Sequence, residues 1–136
     1  FLESHWAYKN RIQEMRDYFE IPITFKIGVE TFDYDFRNGY LNKNAKFKTV
    51  EELKEYFDSP CIMVGIKGQT KEMIDRDMDI VLNNFDHATI NVFVNNTSSV
   101  KRDEELVNWF SNKYKHLVDN PKIEILFNNT DFGVGD

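Results

Sequence analysis

Four short apolar segments, separated by helix-forming stretches, constrain the fold of this chain more than any other feature. They begin near residues 22, 61, 88 and 122, at separations of 27 to 39 residues. A separation of this length accommodates a strand, a helix and two loops, and helical crossovers bring successive strands into a parallel sheet. The spacing therefore predicts an α/β chain with about four parallel strands alternating with helices.

The predicted strands differ in the character of their two faces. The strand over 21–28 alternates apolar and polar side chains, and the strand over 61–66 is apolar almost throughout, as in strands buried on both faces. In the strand over 88–94 the aliphatic residues alternate with a second set that mixes polar and aromatic side chains: Thr89, Asn91, Phe93 and Asn95. A mixed face indicates a sheet surface that meets a ligand or a cavity. The last strand is predicted over 122–127, and the polar segment 128–136 is interpreted as a loop.

Helices are predicted between these strands. One runs over 4–19, a short helical turn follows over 34–41, and a third helix covers 49–57, beginning at a Thr-Val-Glu-Glu capping box. Thr70 can cap the next helix. That helix carries an apolar stripe: Ile74, Met78, Val81 and Phe85. The last helix begins at Ser99 or a neighbour. Its inward residues are Leu106, Phe110, Tyr114 and Leu117.

The composition sets limits on the class of protein. The chain has 136 residues, 41% of them hydrophobic, which is enough for one globular domain over 1–136. A net charge of −6 predicts a solvated acidic surface and argues against an extended nucleic-acid face, which would need clustered lysine and arginine. No apolar run is long enough to span a bilayer, so we expect no membrane partner.

Cys61 is the only cysteine. With no second cysteine the chain forms no internal disulfide, which fits a reducing compartment and predicts a cytoplasmic protein. The three histidines are far apart in sequence and share no ligand spacing, so we expect no metal site made by this chain alone.

Two strand-end motifs carry the functional hypothesis. The first, Gly-Val-Glu-Thr-Phe-Asp, covers 28–33, and the second, Gly-Ile-Lys-Gly-Gln-Thr, covers 65–70. A glycine at the end of a strand lets a ligand approach the backbone. Glu30 then projects from the carboxyl edge of the sheet, where it could accept hydrogen bonds from a ribose or an ammonium group. The alternative is a solvated glutamate in a turn before the next helix.

The two motifs, in this order and at this separation, resemble the fourth and fifth strands of radical S-adenosylmethionine (SAM) enzymes. The nearest branch contains oxygen-independent coproporphyrinogen oxidase and the elongator catalytic subunit. Its fourth strand reads glycine, aliphatic, Glu or Gln, small, Phe, Asp or Asn, with a basic residue about a dozen positions later. Its fifth strand ends in Gly-Leu-Pro-Gly-Gln-Thr, where this chain has Lys67 in place of proline. The segment 87–96 resembles the strand that passes beside the adenine of SAM.

The resemblance implies which residues contact SAM. Glu30 would contact the cofactor, Lys43 would pair with its methionine carboxylate, and the backbone of 91–93 would face its adenine. The implied cofactor-binding residues are Gly28, Glu30, Thr31, Lys43, Gly65, Asn91, Val92 and Phe93. Cys61 stands where many members have a ribose-binding aspartate. We interpret Cys61 as a small core residue. The resemblance assigns no catalytic residue.

The resemblance also implies a larger protein. This chain would be the carboxyl-terminal half of a partial (β/α) TIM-type barrel. The intact enzyme would use a [4Fe–4S] cluster to cleave SAM to a 5′-deoxyadenosyl radical that abstracts hydrogen from a small-molecule or modified-biomolecule substrate. The Cys-x-x-x-Cys-x-x-Cys segment that binds such a cluster is not in this sequence, and Phe1 is not an initiator methionine. We therefore expect a fragment that is inactive alone, whose partner is the missing amino-terminal half. An exposed edge on the strand over 21–28 would favour self-association.

Two other interpretations stay open at this point. The chain could be a small non-catalytic α/β binding module derived from such a barrel. A flavodoxin-like domain is the weaker alternative, because no phosphate-binding loop follows the first predicted strand.

Overall fold

The chain forms one parallel sheet with helical crossovers. The computed structural model describes residues 1–19 and 22–127, so Ile21 and the predicted loop 128–136 lie outside the described residues. All strand pairs are parallel, and the order in the sheet follows the order in the chain. The strands are β1 (Leu2–Ser4), β2 (Phe25–Glu30), β3 (Ser59–Val64), β4 (Ala88–Val92) and β5 (Ile123–Leu126). Sequential parallel strands joined by helices are the arrangement of a partial (β/α) barrel, which confirms the predicted fold class.

Helices connect the strands. The α-helices are α1 (Ile12–Tyr18), α2 (Val50–Lys54), α3 (Lys71–Asn84) and α4 (Glu104–Tyr114). Short 3-10 helices cover Trp6–Arg11 and Lys115–Asp119, and a π-helical turn covers Phe36–Tyr40. Among residues 1–19 and 22–127, no helix combines the length and the apolar character needed to cross a membrane.

Local capping chemistry sets several helix starts as predicted. Thr70 Oγ1 accepts from the Met73 amide at 3.1 Å, and the predicted stripe of α3 is buried. The predicted start of α4 at Ser99 is wrong. Asp103 caps that helix instead, because its carboxylate accepts from the Leu106 amide at 3.1 Å. The helix predicted to reach residue 57 ends at Lys54.

Within residues 1–19 and 22–127 the sheet has five strands rather than the predicted four, because β1 was not predicted. It pairs with β2 from Leu2 opposite Phe25 to Ser4 opposite Ile27. The predicted helix therefore starts at Trp6 instead of Ser4. The predicted exposed edge on β2 is also wrong, since β1 covers that edge over three residues and is itself the edge strand. Self-association was not tested by this finding and stays a prediction.

The two faces of the sheet have opposite character. On the helix side lie fully buried aliphatic and aromatic side chains: Phe25, Ile27, Val29, Ile62, Val64, Ala88, Ile90, Val92 and Ile123. They pack against α3 and α4 in one continuous core, which also contains Ile74, Met78, Phe110 and Tyr114. Because side chains alternate along a strand, the intervening residues all project from the other, inner face.

Gly65, at the end of β3, has a role in packing. Its φ of +92° lies in the region that favours glycine, and a Cβ at this position would stand 2.4 Å from Cγ2 of Val107 in α4. The sequence predicted that Gly65 allows close approach of SAM. In the structure the missing side chain of Gly65 faces the helix that covers the sheet, and Gly65 is not among the residues that line the inner face. Its contact with SAM stays a prediction.

Gly65→Ala is expected to lower the free energy of unfolding by about 2–5 kcal/mol, because it adds both backbone strain and a steric overlap. Gly39→Ala is the matched control, since a Cβ there meets nothing within 4 Å. Denaturant unfolding of the two variants measures the difference. Equal stability of both variants would contradict the packing role of Gly65.

Candidate ligand-binding cavity

The inner face of the sheet is an open cavity of about 860 Å³, within the range of small-molecule sites. Every strand contributes to its lining. The strand residues are Glu3 and Ser4 from β1, Lys26, Gly28 and Glu30 from β2, Cys61 and Met63 from β3, Thr89 and Asn91 from β4, and Glu124 and Leu126 from β5. Lys43 and Phe93 line it from the loops at the carboxyl ends of the strands.

The lining is polar and charged, unlike the interior of a filled barrel. Barrel interiors are usually packed with branched aliphatic residues. Here Lys26, Glu30 and Glu124 replace them. The mixed face predicted for β4 from Thr89 and Asn91 therefore does meet a cavity, as expected. A charged inner wall is suited to a polar ligand rather than to a packed core.

An ion pair stands at the carboxyl end of β2. Lys43 Nζ lies 3.1 Å from Glu30 Oε1, and both side chains are about three-quarters buried or more. Gly28 makes room for this pair, because a Cβ there would stand 3.0 Å from Lys43 Nζ and 3.3 Å from Glu30 Oε1. The structure thus brings together three of the predicted cofactor-binding residues. Whether they bind SAM stays a prediction.

The backbone around the ion pair adopts unusual conformations. Glu30 has φ of +68° and lies where the β2–β3 register shifts. Asn42 and Asn44, which flank Lys43, have φ of +52° and +55°. Asparagine tolerates this region, whereas glutamate rarely adopts it. Such strain persists only where the surroundings enforce it, and it concentrates at functional sites.

A buried arginine holds the loop that carries Lys43. The Arg37 side chain is only 1% exposed and donates to three carbonyl oxygens: Ala45 at 2.8 Å, Thr31 at 3.1 Å and Phe47 at 2.6 Å. Its own carbonyl accepts from the Lys43 amide at 2.9 Å. Burial lowers the pKa of Arg37, and nearby Tyr34 and acidic side chains offset part of that effect. Sequence reasoning missed this residue, because one arginine in a polar turn gives no signal of burial.

Thr31 belongs to the support of this loop rather than to the cavity. Its side chain is fully buried, and its hydroxyl accepts from the Asp33 amide at 3.1 Å. The Thr31 side chain therefore supports the loop and is not part of the cavity lining, and cofactor binding by Thr31 stays a prediction. Beside it, Asp77 of α3 accepts from the Phe32 amide at 2.8 Å. Burial raises the pKa of Asp77 to about 7, although its hydrogen bonds with Thr31 and Phe32 lower it.

Cys61 is part of the cavity wall, so its interpretation as a core residue is wrong. The strand alternation places Ile62 in the core and leaves Cys61 half-buried on the inner face. Burial raises the pKa of the Cys61 thiol, while Lys26 and a contact with the Thr89 hydroxyl lower it in part. The thiol is therefore a neutral group at pH 7.

The predicted residues of β4 divide between the two faces. Asn91 and Phe93 line the cavity, whereas the Val92 side chain is fully buried on the helix side. Only the Val92 backbone could therefore meet a ligand. Asn95 has a structural role in the loop after β4, since its Oδ1 accepts a hydrogen bond from the Arg102 amide at 2.8 Å. The His87 side chain forms a hydrogen bond with Ser59, with 2.7 Å between Nδ1 and Oγ.

The chain does not supply the ligands of an iron–sulfur cluster. Its single cysteine cannot provide three thiolates. Within 1–19 and 22–127, no three His, Cys, Asp or Glu side chains gather where they could share a metal ion.

Comparisons with known proteins give one informative result. No family model matches the sequence, and a search of curated proteins gave no match. A solved structure, "queuine lyase from Clostridium spiroforme bound to SAM and queuine", matches with a TM-score of 0.94 and 52% sequence identity. The match covers 98% of this chain and 58% of that chain, so this chain spans less than two thirds of the lyase. The similarity supports a relation to the radical SAM superfamily and the partial-barrel fold. The branch that the motifs indicate stays a prediction.

Arg37→Met is expected to lower the free energy of unfolding by about 3–6 kcal/mol, because three buried carbonyls lose their donor. Arg76→Met is the matched control. Arg76 is 61% exposed and lies 3.8 Å from Asp33, so its loss should change stability by less than about 1 kcal/mol. Denaturant unfolding compares the two. Equal effects would show that Arg37 does not hold the loop.

Asp77→Asn is expected to flatten the dependence of stability on pH. The folded state keeps the Asp77 proton up to about pH 7, whereas an ordinary aspartate loses it near 3.8. The unfolded chain therefore binds fewer protons in this window, and this group makes stability fall as pH rises from about 4 to 7. Replacing the Asp77 carboxyl group should raise the free energy of unfolding at pH 8 by up to about 4 kcal/mol.

Unfolding midpoints of the Asp77→Asn protein between pH 4 and 8 measure this effect. Asp79→Asn, an exposed position on the same helix, is the control and should leave the profile unchanged. If Asp77→Asn also left it unchanged, the pH-dependent group would be another residue.

Proposed function

We propose that this chain is the carboxyl-terminal portion of a radical SAM lyase whose ligands are SAM and queuine. The observation that carries the proposal is the Glu30–Lys43 pair at the mouth of a polar cavity, in a chain 52% identical to a lyase solved with SAM and queuine. The two residues are those that the family resemblance implied for SAM.

The ion pair is suited to exchange with a zwitterionic ligand. The methionine part of SAM carries a carboxylate and an ammonium group, and its ribose carries hydroxyls. Lys43 would turn from Glu30 to the carboxylate as a point charge. Glu30 would then accept from the ribose or the ammonium group. Because both side chains are already held at the cavity, little further ordering is needed on binding.

The remaining parts of the site would come from backbone and from outside this chain. The backbone of Asn91–Phe93 would face the adenine, with Phe93 4% exposed at the cavity wall. The [4Fe–4S] cluster of the intact protein would supply the electron that cleaves SAM to the 5′-deoxyadenosyl radical. Since its ligands are not in this chain, we propose that the chain is inactive without the rest of the barrel.

The test of the function uses the natural protein that contains this chain, purified without oxygen and loaded with iron and sulfide. It is incubated with SAM and a reductant, and 5′-deoxyadenosine and queuine are followed by mass spectrometry. We expect 5′-deoxyadenosine to form. We also expect the amount of queuine to change when queuine, or a compound that contains it, is added. Binding of SAM or queuine without either product would favour the non-catalytic binding module instead.

Lys43→Met and Glu30→Gln are each expected to weaken SAM binding by the natural protein by about 10- to 100-fold, as for loss of one charge-assisted hydrogen bond. Isothermal titration calorimetry measures the dissociation constants. Lys67→Met removes an exposed lysine outside the cavity lining and should leave SAM binding unchanged. If Lys67→Met weakened binding as much as Lys43→Met, the assignment of Lys43 would be wrong.

A further inference from the structure

Two buried polar atoms on the inner face of β4 lack a hydrogen bond of normal geometry. In the described part of the chain these are Thr89 Oγ1, which lies beside the Cys61 thiol, and Asn91 Oδ1. The Thr89 residue is only 2% exposed, and both residues line the cavity. Buried polar groups are nearly always paired, so orphaned groups that face a cavity point to a ligand. The ion pair described above does not account for them.

The neighbours of Thr89 define the chemistry of this subsite. The sheet register places Glu124 of β5 directly beside Thr89, and Cys61 of β3 on its other side. Glu124 is an exposed carboxylate on the cavity wall. A hydroxyl and a carboxylate thus stand side by side, with the neutral Cys61 thiol next to them.

The adjacent residues toward the carboxyl ends are largely apolar. The register aligns Met63, Asn91 and Leu126 across the three strands, and all three line the cavity. Asn91 is the polar member of this row. Apolar contacts from Met63 and Leu126 beside a few fixed polar groups are the usual lining of a small-molecule site.

The donor and acceptor pattern favours a guanine-type base over an adenine-type base. A guanine-type edge presents adjacent N–H donors beside a carbonyl oxygen. A carboxylate can accept from two such N–H groups, and a hydroxyl can donate to the carbonyl. An adenine-type edge presents a ring nitrogen lone pair at that place, which would face the Glu124 carboxylate unfavourably.

We propose that Thr89, Asn91 and Glu124 form the subsite that reads the hydrogen-bonding edge of a 7-deazaguanine base. The inference rests on the proposed function, because queuine is a substituted 7-deazaguanine. It assigns the base to side chains of β4 and β5, whereas SAM would be held by the Glu30–Lys43 pair and would meet only the backbone of Asn91–Phe93. Glu124 accepts from the ring and amino N–H groups, Thr89 donates to the carbonyl, and Asn91 accepts from a further N–H group of the ligand.

The experiment measures binding of queuine, 7-deazaguanine and 7-deazaadenine to the natural full-length protein by calorimetry, with SAM binding measured in parallel. Glu124→Gln should weaken queuine binding about 10- to 100-fold, and Thr89→Val about tenfold. Both variants should bind SAM as the parent protein does. Glu55→Gln, an exposed glutamate outside this cavity, is the matched control and should bind queuine normally.

Two further readouts separate this subsite from a structural role. Thr89→Val should unfold at the same or a higher denaturant concentration, because it removes an unpaired buried hydroxyl. The parent protein should prefer 7-deazaguanine to 7-deazaadenine, and Glu124→Gln should lose most of that preference. Unchanged queuine binding in both variants, with SAM binding and 5′-deoxyadenosine formation intact, would overturn the subsite and leave the proposed function standing. Absence of SAM binding and of 5′-deoxyadenosine in the parent protein would overturn the proposed function itself.

Discussion

The cavity of this protein depends on a buried guanidinium that supports a loop. Arg37 donates to the carbonyl of Thr31 at one end of the loop and to those of Ala45 and Phe47 at the other, and its own carbonyl accepts from the Lys43 amide. In the described residues no carboxylate forms an ion pair with it. The burial penalty of this charge is offset only when all three carbonyls are in place, so the loop has one favoured arrangement. That arrangement brings Lys43 to Glu30.

The polar inner face follows from the same sheet that makes the apolar core. Strand alternation sends one set of side chains to the helices and the other to the cavity. Bulky aliphatic residues on both faces of the sheet would fill the barrel interior and leave no cavity. Here charged, amide and hydroxyl side chains occupy the inner positions, and in the described structure Thr89 Oγ1 and Asn91 Oδ1 make no hydrogen bond of normal geometry. The apolar core therefore lies on one side of the sheet, and the other side is open to the cavity.

The sequence predicted the parts of this structure that have strong local patterns. The alternation of strands and helices, the Thr70 cap and the mixed face of β4 follow from periodicity and capping chemistry. The Glu30 motif placed a carboxylate at the strand end where the structure has one. β1 could not be predicted, because three residues are too few to show alternation. The burial of Arg37 and Asp77 could not be predicted either, because it results from the packing of a loop against α3.

We propose that the Glu30–Lys43 pair supplies the side chains of this chain that bind SAM. A crystal structure of the natural protein with SAM would decide this. We expect Lys43 Nζ within hydrogen-bond distance, about 3 Å, of the methionine carboxylate, with Glu30 turned to the ribose or the ammonium group. SAM bound elsewhere, with the Glu30–Lys43 pair intact, would contradict it.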